Sequence, residues 1–176
     1  MPNNVAQYQV IVNWDAPSTI EIDNFEINLN GWQPETDTTV EQTTTLFSHS
    51  GDGAMYVNYT TANHDPDDLA FKVLTGLEVG VTYVITMWGF PYNNSYHMVL
   101  SADNALYETE TKEYLKWNRL ETSFVAVATT HTIRLRSLPG PQPNTIVLGG
   151  LIDEVYRTTA GDDITKIISF RERIIV

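Results

Sequence analysis

Apolar and polar residues alternate along most of the chain, and the alternation recurs in short runs. In the clearest run, residues 82–90, a period of two places Tyr83, Ile85 and Met87 on one side of a strand. β-branched residues are frequent in these runs, and helix-period stripes are almost absent. The pattern predicts strands at 8–14, 20–29, 55–61, 70–74, 82–90, 96–100, 123–128, 132–138 and 145–148.

Turn-forming residues separate the runs. Gly, Pro, Asn and Asp are concentrated at 50–53, 63–68, 91–94, 139–141 and 160–163. The segment 104–116 has poor helical spacing and is predicted as loop and strand, and the Thr-rich segment 36–45 as a polar loop. Strands without intervening helices indicate an all-β antiparallel sandwich, and no linker divides residues 1–176 into two domains.

The negative net charge of the chain disfavours some classes of binding partner. The chain carries 10 Lys and Arg against 22 Asp and Glu, a formal charge of −12, which disfavours nucleic acid and anionic membrane surfaces. Residues 1–114 contain 16 acidic and 2 basic residues, whereas residues 115–176 contain 6 acidic and 8 basic ones. Either these two parts pair within one fold, or one charged face meets a neighbouring subunit.

Several other features limit compartment and chemistry. No apolar run reaches the roughly 20 residues of a membrane-spanning helix. Residues 1–10 lack the basic start and apolar centre of a secretory signal. The absence of cysteine excludes thiol nucleophiles and zinc knuckles. We therefore expect a soluble protein that is cytosolic or is exported as part of a larger assembly.

Several short motifs occur in a particular order along the chain. N-F-E at 24–26 and G-W at 31–32 precede H-S-G-D-G at 49–53, the run 77–88 and I-D-E-V at 152–155. Over residues 22–157 this order resembles the jelly-roll carbohydrate-binding modules of the galactose-binding-like type. The resemblance implies a jelly-roll core at 21–158, with an extra strand within 1–20 and another within 159–176.

The resemblance also implies a structural calcium ion that ties the first and last core strands. The matching positions are Glu26, the main-chain carbonyls of the turn that contains Ser50 and Asp52, and Asp153. Glu154 stands where such modules frequently have a second Asp, which weakens the match. The alternative is that Asp153 caps a turn and Glu26 is a solvated strand residue. The acidic segment 65–68 offers a second group of oxygens, which is more typical of a solvated loop.

Aromatic residues supply the candidate ligand site. If Tyr83 and its alternate neighbours face the core, Trp88 lies on the opposite face. A flat ring there can stack on a sugar, and amides and hydroxyls can bridge sugar hydroxyls. The predicted ligand-binding residues are Trp88, Tyr92, Asn94 and Tyr96. The alternative is that Trp88 fills the sandwich and the tyrosines plug its end.

The remaining tryptophans are interpreted as packing residues. Trp32 and Trp117 match packed positions of the resembling modules and are predicted to be core residues. Trp14 lies outside the matched region, where it can pack on the C-terminal strand or on another subunit.

Catalytic motifs are absent from the sequence. It contains no G-x-S-x-G, H-E-x-x-H, phosphate-binding loop or dinucleotide fingerprint, and its four histidines are scattered. Acidic pairs alone carry no evidence for hydrolysis in a chain with 22 carboxylates. A hydrolase or lyase is therefore the least favoured function.

A free-standing module with extra terminal strands is typical of one subunit in an assembly. The apolar end 174–176 then pairs within the fold or across a subunit interface. Phage virions display such modules without signal peptides. The leading hypothesis is a non-catalytic virion component, part of a homo-oligomer or bound to other virion subunits, that adheres to surface glycans. The rival hypothesis is a structural cement or decoration subunit with no sugar site.

Overall fold

The computed structural model describes residues 19–44, 48–59, 68–92, 96–139 and 149–159. All of them belong to one unit, Ser18–Ala160. Several predictions fall outside the described residues: the strands at 8–14 and 145–148, the extra C-terminal strand, and the acidic positions 65–67.

The described residues form eleven strands and no helix, which confirms the all-β prediction. It follows that no helix in this part of the chain is suited to crossing a membrane. The strands are β1 (Thr19–Asp23), β2 (Gln33–Pro34), β3 (Thr38–Thr43), β4 (Ala54–Tyr59), β5 (Asp68–Thr75), β6 (Thr82–Pro91), β7 (Tyr96–Ala102), β8 (Tyr107–Glu110), β9 (Asn118–Val125), β10 (Thr130–Pro139) and β11 (Gly149–Thr159).

The strands form two antiparallel layers. Layer one has the order β9-β6-β11-β4-β3, and layer two has the order β2-β5-β10-β7. β1 pairs with the second half of β11, and β8 pairs with both β7 and β9. β8 therefore closes one edge of the sandwich by hydrogen-bonding the two layers to each other. Strands far apart in sequence are neighbours in space, as a jelly roll requires.

The main core lies between the two layers. Tyr83, Ile85 and Met87 share one side of β6, as their alternation predicts, and the structure buries that side in one cluster with residues of layer two such as Leu100. Removal of this apolar surface from water is the principal stabilising contribution to the fold. Since adjacent residues of a strand point to opposite sides, Trp88 lies on the outer face of layer one.

One ion pair is largely buried, with the Asp23 side chain 0% and the Lys72 side chain 12% exposed. The Lys72 ammonium donates to both carboxylate oxygens of Asp23 at 2.8 Å, and the Trp32 indole N–H donates to the same carboxylate at 2.9 Å. Burial raises the pKa of Asp23, although Lys72 and Trp32 oppose the rise. Trp32 is only 3% exposed, which confirms the prediction that it is a core residue.

Three segments differ from the sequence prediction. The predicted loop 36–45 contains β3, whose Thr38 is buried and whose Val40 packs against the core. The predicted strand 20–29 stops at Asp23, where the chain turns through Phe25 and Asn30 at positive φ. β9 begins at residue 118 instead of 123. The strand β3 was missed because an edge strand has few hydrophobic residues. The turn after Asp23 was missed because it depends on tertiary contacts, which local alternation does not report.

Candidate functional site

The outer face of layer one presents side chains in rows that the strand register determines. Arg119 on β9 and Asp153 on β11 lie opposite Trp88 on β6. Two residues further along β6, Phe90 lies opposite Leu151. Directly opposed residues of an antiparallel pair share a face, so these five residues belong to one surface.

Six rings meet on this face, and together we call them the aromatic surface: His49, Tyr56, Trp88, Phe90, Tyr92 and Trp117. The His49 imidazole stacks on the Trp88 indole, with ring centroids 4.1 Å apart and planes inclined by 14°. Trp117 meets His49 and Phe90 edge-on, at centroid distances of 5.5 and 5.4 Å. These are the stacked and edge-to-face geometries that aromatic pairs prefer.

The two tyrosines continue the aromatic surface away from Trp88. Tyr92 contacts Phe90 and Tyr56, with centroids 5.9 and 6.0 Å apart. Burial raises the pKa of both phenols, and at Tyr56 the neighbouring Glu41 raises it further. Both hydroxyls therefore keep their protons at neutral pH and can donate as well as accept hydrogen bonds.

A small second core lies within this surface. Phe90 and Leu151 are buried together with Ala54, and the half-buried rings of Tyr56, Tyr92 and Trp117 pack against them. Trp117, predicted to be a core residue, is thus half-buried and packs on the outer side of layer one. The rings of this cluster are supported from one side by apolar contacts.

The turn at 48–53 places His49 over Trp88. One carboxylate oxygen of Asp153 accepts hydrogen bonds from the backbone amides of His49 and Ser50, both at 2.9 Å. Its other oxygen accepts from the amide of Glu154 at 2.8 Å. Burial raises the pKa of Asp153, whereas these amides act to lower it. Asp153 therefore fixes the start of the turn against β11.

A second carboxylate holds the other end of the turn. Glu26 accepts hydrogen bonds from the amides of Asp52 and Gly53 at 3.0–3.2 Å. A Cβ atom at Gly51 would collide with the Glu26 carboxylate, and one at Gly53 would collide with the Phe25 carbonyl. The two glycines of the H-S-G-D-G motif are therefore required by close approach.

These contacts test how well the residues fit calcium. A calcium site needs several oxygen atoms directed at one point. Here the Glu26 and Asp153 carboxylates each accept hydrogen bonds from their own pair of turn amides, and Asp52 contributes its N–H. Among the described residues, no three His, Asp or Glu side chains gather as a metal centre. In the described structure both carboxylates are bound to turn amides, and calcium stays a prediction.

His49 also has a charged neighbour. Its ring is hydrogen-bonded to the carboxylate of Glu154, and the Tyr156 hydroxyl donates to the same carboxylate at 3.3 Å. Burial would raise the pKa of Glu154, but the hydrogen bonds from His49 and Ser50 outweigh it and the pKa is lowered. Glu154 thereby helps to hold the imidazole in its position over Trp88.

A second surface lies on the outer face of layer two. It is a groove of about 310 Å³, which we call the β7–β8 groove, and it is lined by Val99, Tyr107, Glu108, Thr109, Glu110, Lys112 and Leu138. Tyr107 is 53% exposed. The Ser101 hydroxyl donates to the Glu108 carboxylate. The groove combines an apolar floor with polar walls, but its aromatic content is a single tyrosine.

The structure brings two of the four predicted ligand residues together. Trp88 and Tyr92 both belong to the aromatic surface, on the side of β6 away from the main core. Asn94 and the side chain of Tyr96 lie outside what the structure describes. Sequence reasoning missed His49 and Tyr56. His49 opens the H-S-G-D-G motif, but only its contact with Trp88 shows that it belongs here.

Solved carbohydrate-binding modules of family 22 are similar in structure to this chain. Clostridium thermocellum endo-1,4-β-D-xylanase 10B, solved as a family 22 carbohydrate-binding module with its GH10 module and xylohexaose, aligns with a TM-score of 0.56 and 18% identity. The alignment covers 79% of this chain but only 28% of that chain. The C-terminal family 22 module of the same enzyme gives a TM-score of 0.57 and 15% identity, over 86% of this chain and 97% of the module.

A family 61 carbohydrate-binding module solved with β-1,4-galactotriose is also similar. Its TM-score is 0.50 and its identity 17%, over 78% of this chain and 94% of that module. No protein-family model matches the sequence, and no curated protein matches it. At these identities the similarity shows the fold, which is the β-sandwich of carbohydrate-binding modules, as the order of the motifs implied.

Proposed function

We propose that this chain is a non-catalytic glycan-binding module that holds sugar rings on the aromatic surface of layer one. The proposal is carried by the half-buried rings of Trp88, Tyr92 and Trp117, which converge on one outer face of the sandwich. Rings supported from one side and partly exposed on the other can stack on the apolar face of a pyranose.

Polar groups beside the rings match the hydroxyls of a sugar. The phenols of Tyr56 and Tyr92 are protonated donors, Glu41 lies opposite Tyr56, and Arg119 lies opposite Trp88. This mixture of apolar faces and a few oriented polar groups is typical of small-molecule binding sites. The non-catalytic part of the proposal is supported by the similarity to isolated family 22 and family 61 binding modules.

A glycan array followed by isothermal titration tests the proposal. We expect binding to at least one polysaccharide on the array and an affinity lower by about fivefold in Tyr92→Ala, since loss of a stacked ring is worth about 1 kcal/mol. Because the Tyr92 ring also packs on the small second core, a melting curve must show that the variant is folded at the temperature of the titration. Trp88→Ala is a less specific test of sugar stacking, because this change also removes the ring contact between Trp88 and His49. A protein that retains no glycan contradicts the proposal.

Tyr107→Ala provides the matched control, an exposed tyrosine in the β7–β8 groove of the other layer. We expect this variant to bind like the wild type. Loss of binding in Tyr107→Ala with full binding in Tyr92→Ala would move the site to the groove and leave the glycan-binding function standing.

The virion location and the association with other subunits stay predictions. Immunolabelling of virus particles from the source organism tests them, with labelled particles expected. The comparison is with particles that carry Tyr92→Ala, after this variant has been shown to lose glycan binding. Equal labelling of these particles favours the rival role of structural cement.

A further inference from the structure

The loop between β8 and β9 projects beside the aromatic surface. It ends at Trp117, and its tip carries Tyr114 and Leu115, which are 52% and 55% exposed. The amide of Leu115 donates to the carbonyl of Pro91 at 2.9 Å, which fixes the tip against the end of β6, directly before Tyr92. Tyr114 and Leu115 therefore lie on a loop tip that adjoins the proposed binding surface in space at Pro91 and in sequence at Trp117.

One side chain organises this loop. The Asn118 carbonyl oxygen accepts hydrogen bonds from the amides of Lys112 and Glu113, both at 3.1 Å. Its amide group donates to the carbonyls of Glu113 and Lys116 at 2.7 and 2.8 Å. Leu115 has a φ of 55°, a conformation that side chains of its kind rarely adopt. The loop is held in one shape that keeps Tyr114 and Leu115 exposed.

A rigid loop that exposes an aromatic and an aliphatic side chain is suited to binding, because little conformational entropy is lost when a ligand meets it. The charges at the tip do not select against a neutral ligand, since Lys116 pairs with Glu113. The position of the tip beside Trp117 and Tyr92 indicates the ligand that it meets: the same polysaccharide chain, further along its length.

We propose that Tyr114 and Leu115 form an additional sugar-binding subsite, which extends the aromatic surface along one polysaccharide chain. This subsite rests on the proposed glycan-binding function. Tyr114 stacks on a sugar ring beyond those held at Trp88 and Tyr92, and Leu115 borders that ring. Asn118 is a positioning residue, which acts by holding the tip in place.

Titration with short and long ligands tests the subsite. The probes are β-1,4-xylo-oligosaccharides and β-1,4-galacto-oligosaccharides of two and six units. We expect Tyr114→Ala to bind the six-unit ligand about fivefold more weakly than the wild type, consistent with the loss of one stacked ring. It should bind the two-unit ligand equally well. Asn118→Ala should show the same dependence on ligand length, and Tyr114→Phe should restore affinity for the six-unit ligand.

Leu106→Ala serves as the control, because Leu106 is 65% exposed in the turn before β8. It should bind both lengths like the wild type. Unchanged six-unit affinity in Tyr114→Ala contradicts the subsite alone, as does an equal loss for both lengths. A wild-type protein that binds neither series contradicts the subsite, whereas one that also binds no glycan on the array contradicts the proposed function itself.

Discussion

At the scale of single residues, a buried carboxylate determines where the turn 48–53 lies. Asp153 is fully buried and accepts hydrogen bonds from the amides of His49, Ser50 and Glu154. The turn in turn places the His49 ring on Trp88. One residue thus connects the stability of layer one with the geometry of the aromatic surface.

Asp153→Asn should lower the free energy of unfolding by about 2–4 kcal/mol, because an amide N–H₂ replaces an oxygen that faces backbone donors. Urea denaturation followed by circular dichroism measures the loss. The matched control is Asp52→Asn, an exposed carboxylate in the same turn. Its effect should stay within about 0.5 kcal/mol, as for most surface changes. Equal losses in the two variants would contradict the assigned role of Asp153.

The same variants test the calcium prediction. A bound ion stabilises the folded state, so EDTA would lower the melting temperature of the wild type and have no effect on Asp153→Asn. An unchanged wild-type melting temperature rejects calcium and leaves the backbone amides as the partners of both carboxylates.

At the scale of elements, β11 is the central strand of layer one. It pairs with β6 on one side and with β4 and then β1 on the other. The register shifts between Asp153 and Tyr156, and Glu154 has a φ of 48° at this irregularity. Such a bulge redirects side chains. It begins directly after Asp153, which pairs with Trp88 and whose carboxylate holds the turn.

Gly150 on this strand lies close to both β6 and Met98 of layer two. A Cβ atom there would lie 2.7 Å from the Phe90 carbonyl and 2.8 Å from the Met98 sulfur. We expect Gly150→Ala to lower the free energy of unfolding by about 1–3 kcal/mol, the usual effect of overpacking. Gly89→Ala should lower the free energy of unfolding by less. Its added Cβ would lie 2.9 Å from the end of the Leu120 side chain, which can shift more easily than a backbone carbonyl. Thermal unfolding ranks the two, and the reverse order would contradict this packing.

At the scale of the whole molecule, the unequal charge of the two parts of the chain is partly balanced by ion pairs across layer two. Arg134, on β10, binds Asp103 and approaches Asp68 and Glu35 at 3.6 and 4.0 Å. Arg136 pairs with Asp68 at 2.8 Å. These bases come from 115–176 and the acids from 1–114, so part of the asymmetry is paired within one fold.

Arg134→Met keeps the aliphatic stem but leaves three acids without this cation on a chain of charge −12. We expect it to lower the free energy of unfolding by about 1 kcal/mol at low salt, near the upper limit for exposed pairs. The loss should shrink in 1 M NaCl, where charges are screened beyond about 3 Å. Lys116→Met, which breaks one exposed pair, is the control. A loss that does not depend on salt would contradict an electrostatic cause.

Much of the fold could be predicted because alternation is a local property. The run 82–90 predicted that Tyr83 and Trp88 lie on opposite faces of β6 but left open which face is buried, and the structure buries the face of Tyr83. β3 was missed because an edge strand is polar on its exposed side. Trp117 was read as core from its match to a family position, whereas its contacts place it against Phe90 on the outer face.

By itself, the sequence determined the class of fold, the two sets of residues that alternate along β6, and the absence of recognisable catalytic motifs, since each follows from residue type and short-range spacing. Only the tertiary structure decided which groups become partners. His49 meets Trp88, and Asp153 meets amides about a hundred residues away, because strand order brings distant segments together. Such contacts depend on register and layer packing, which no local pattern encodes.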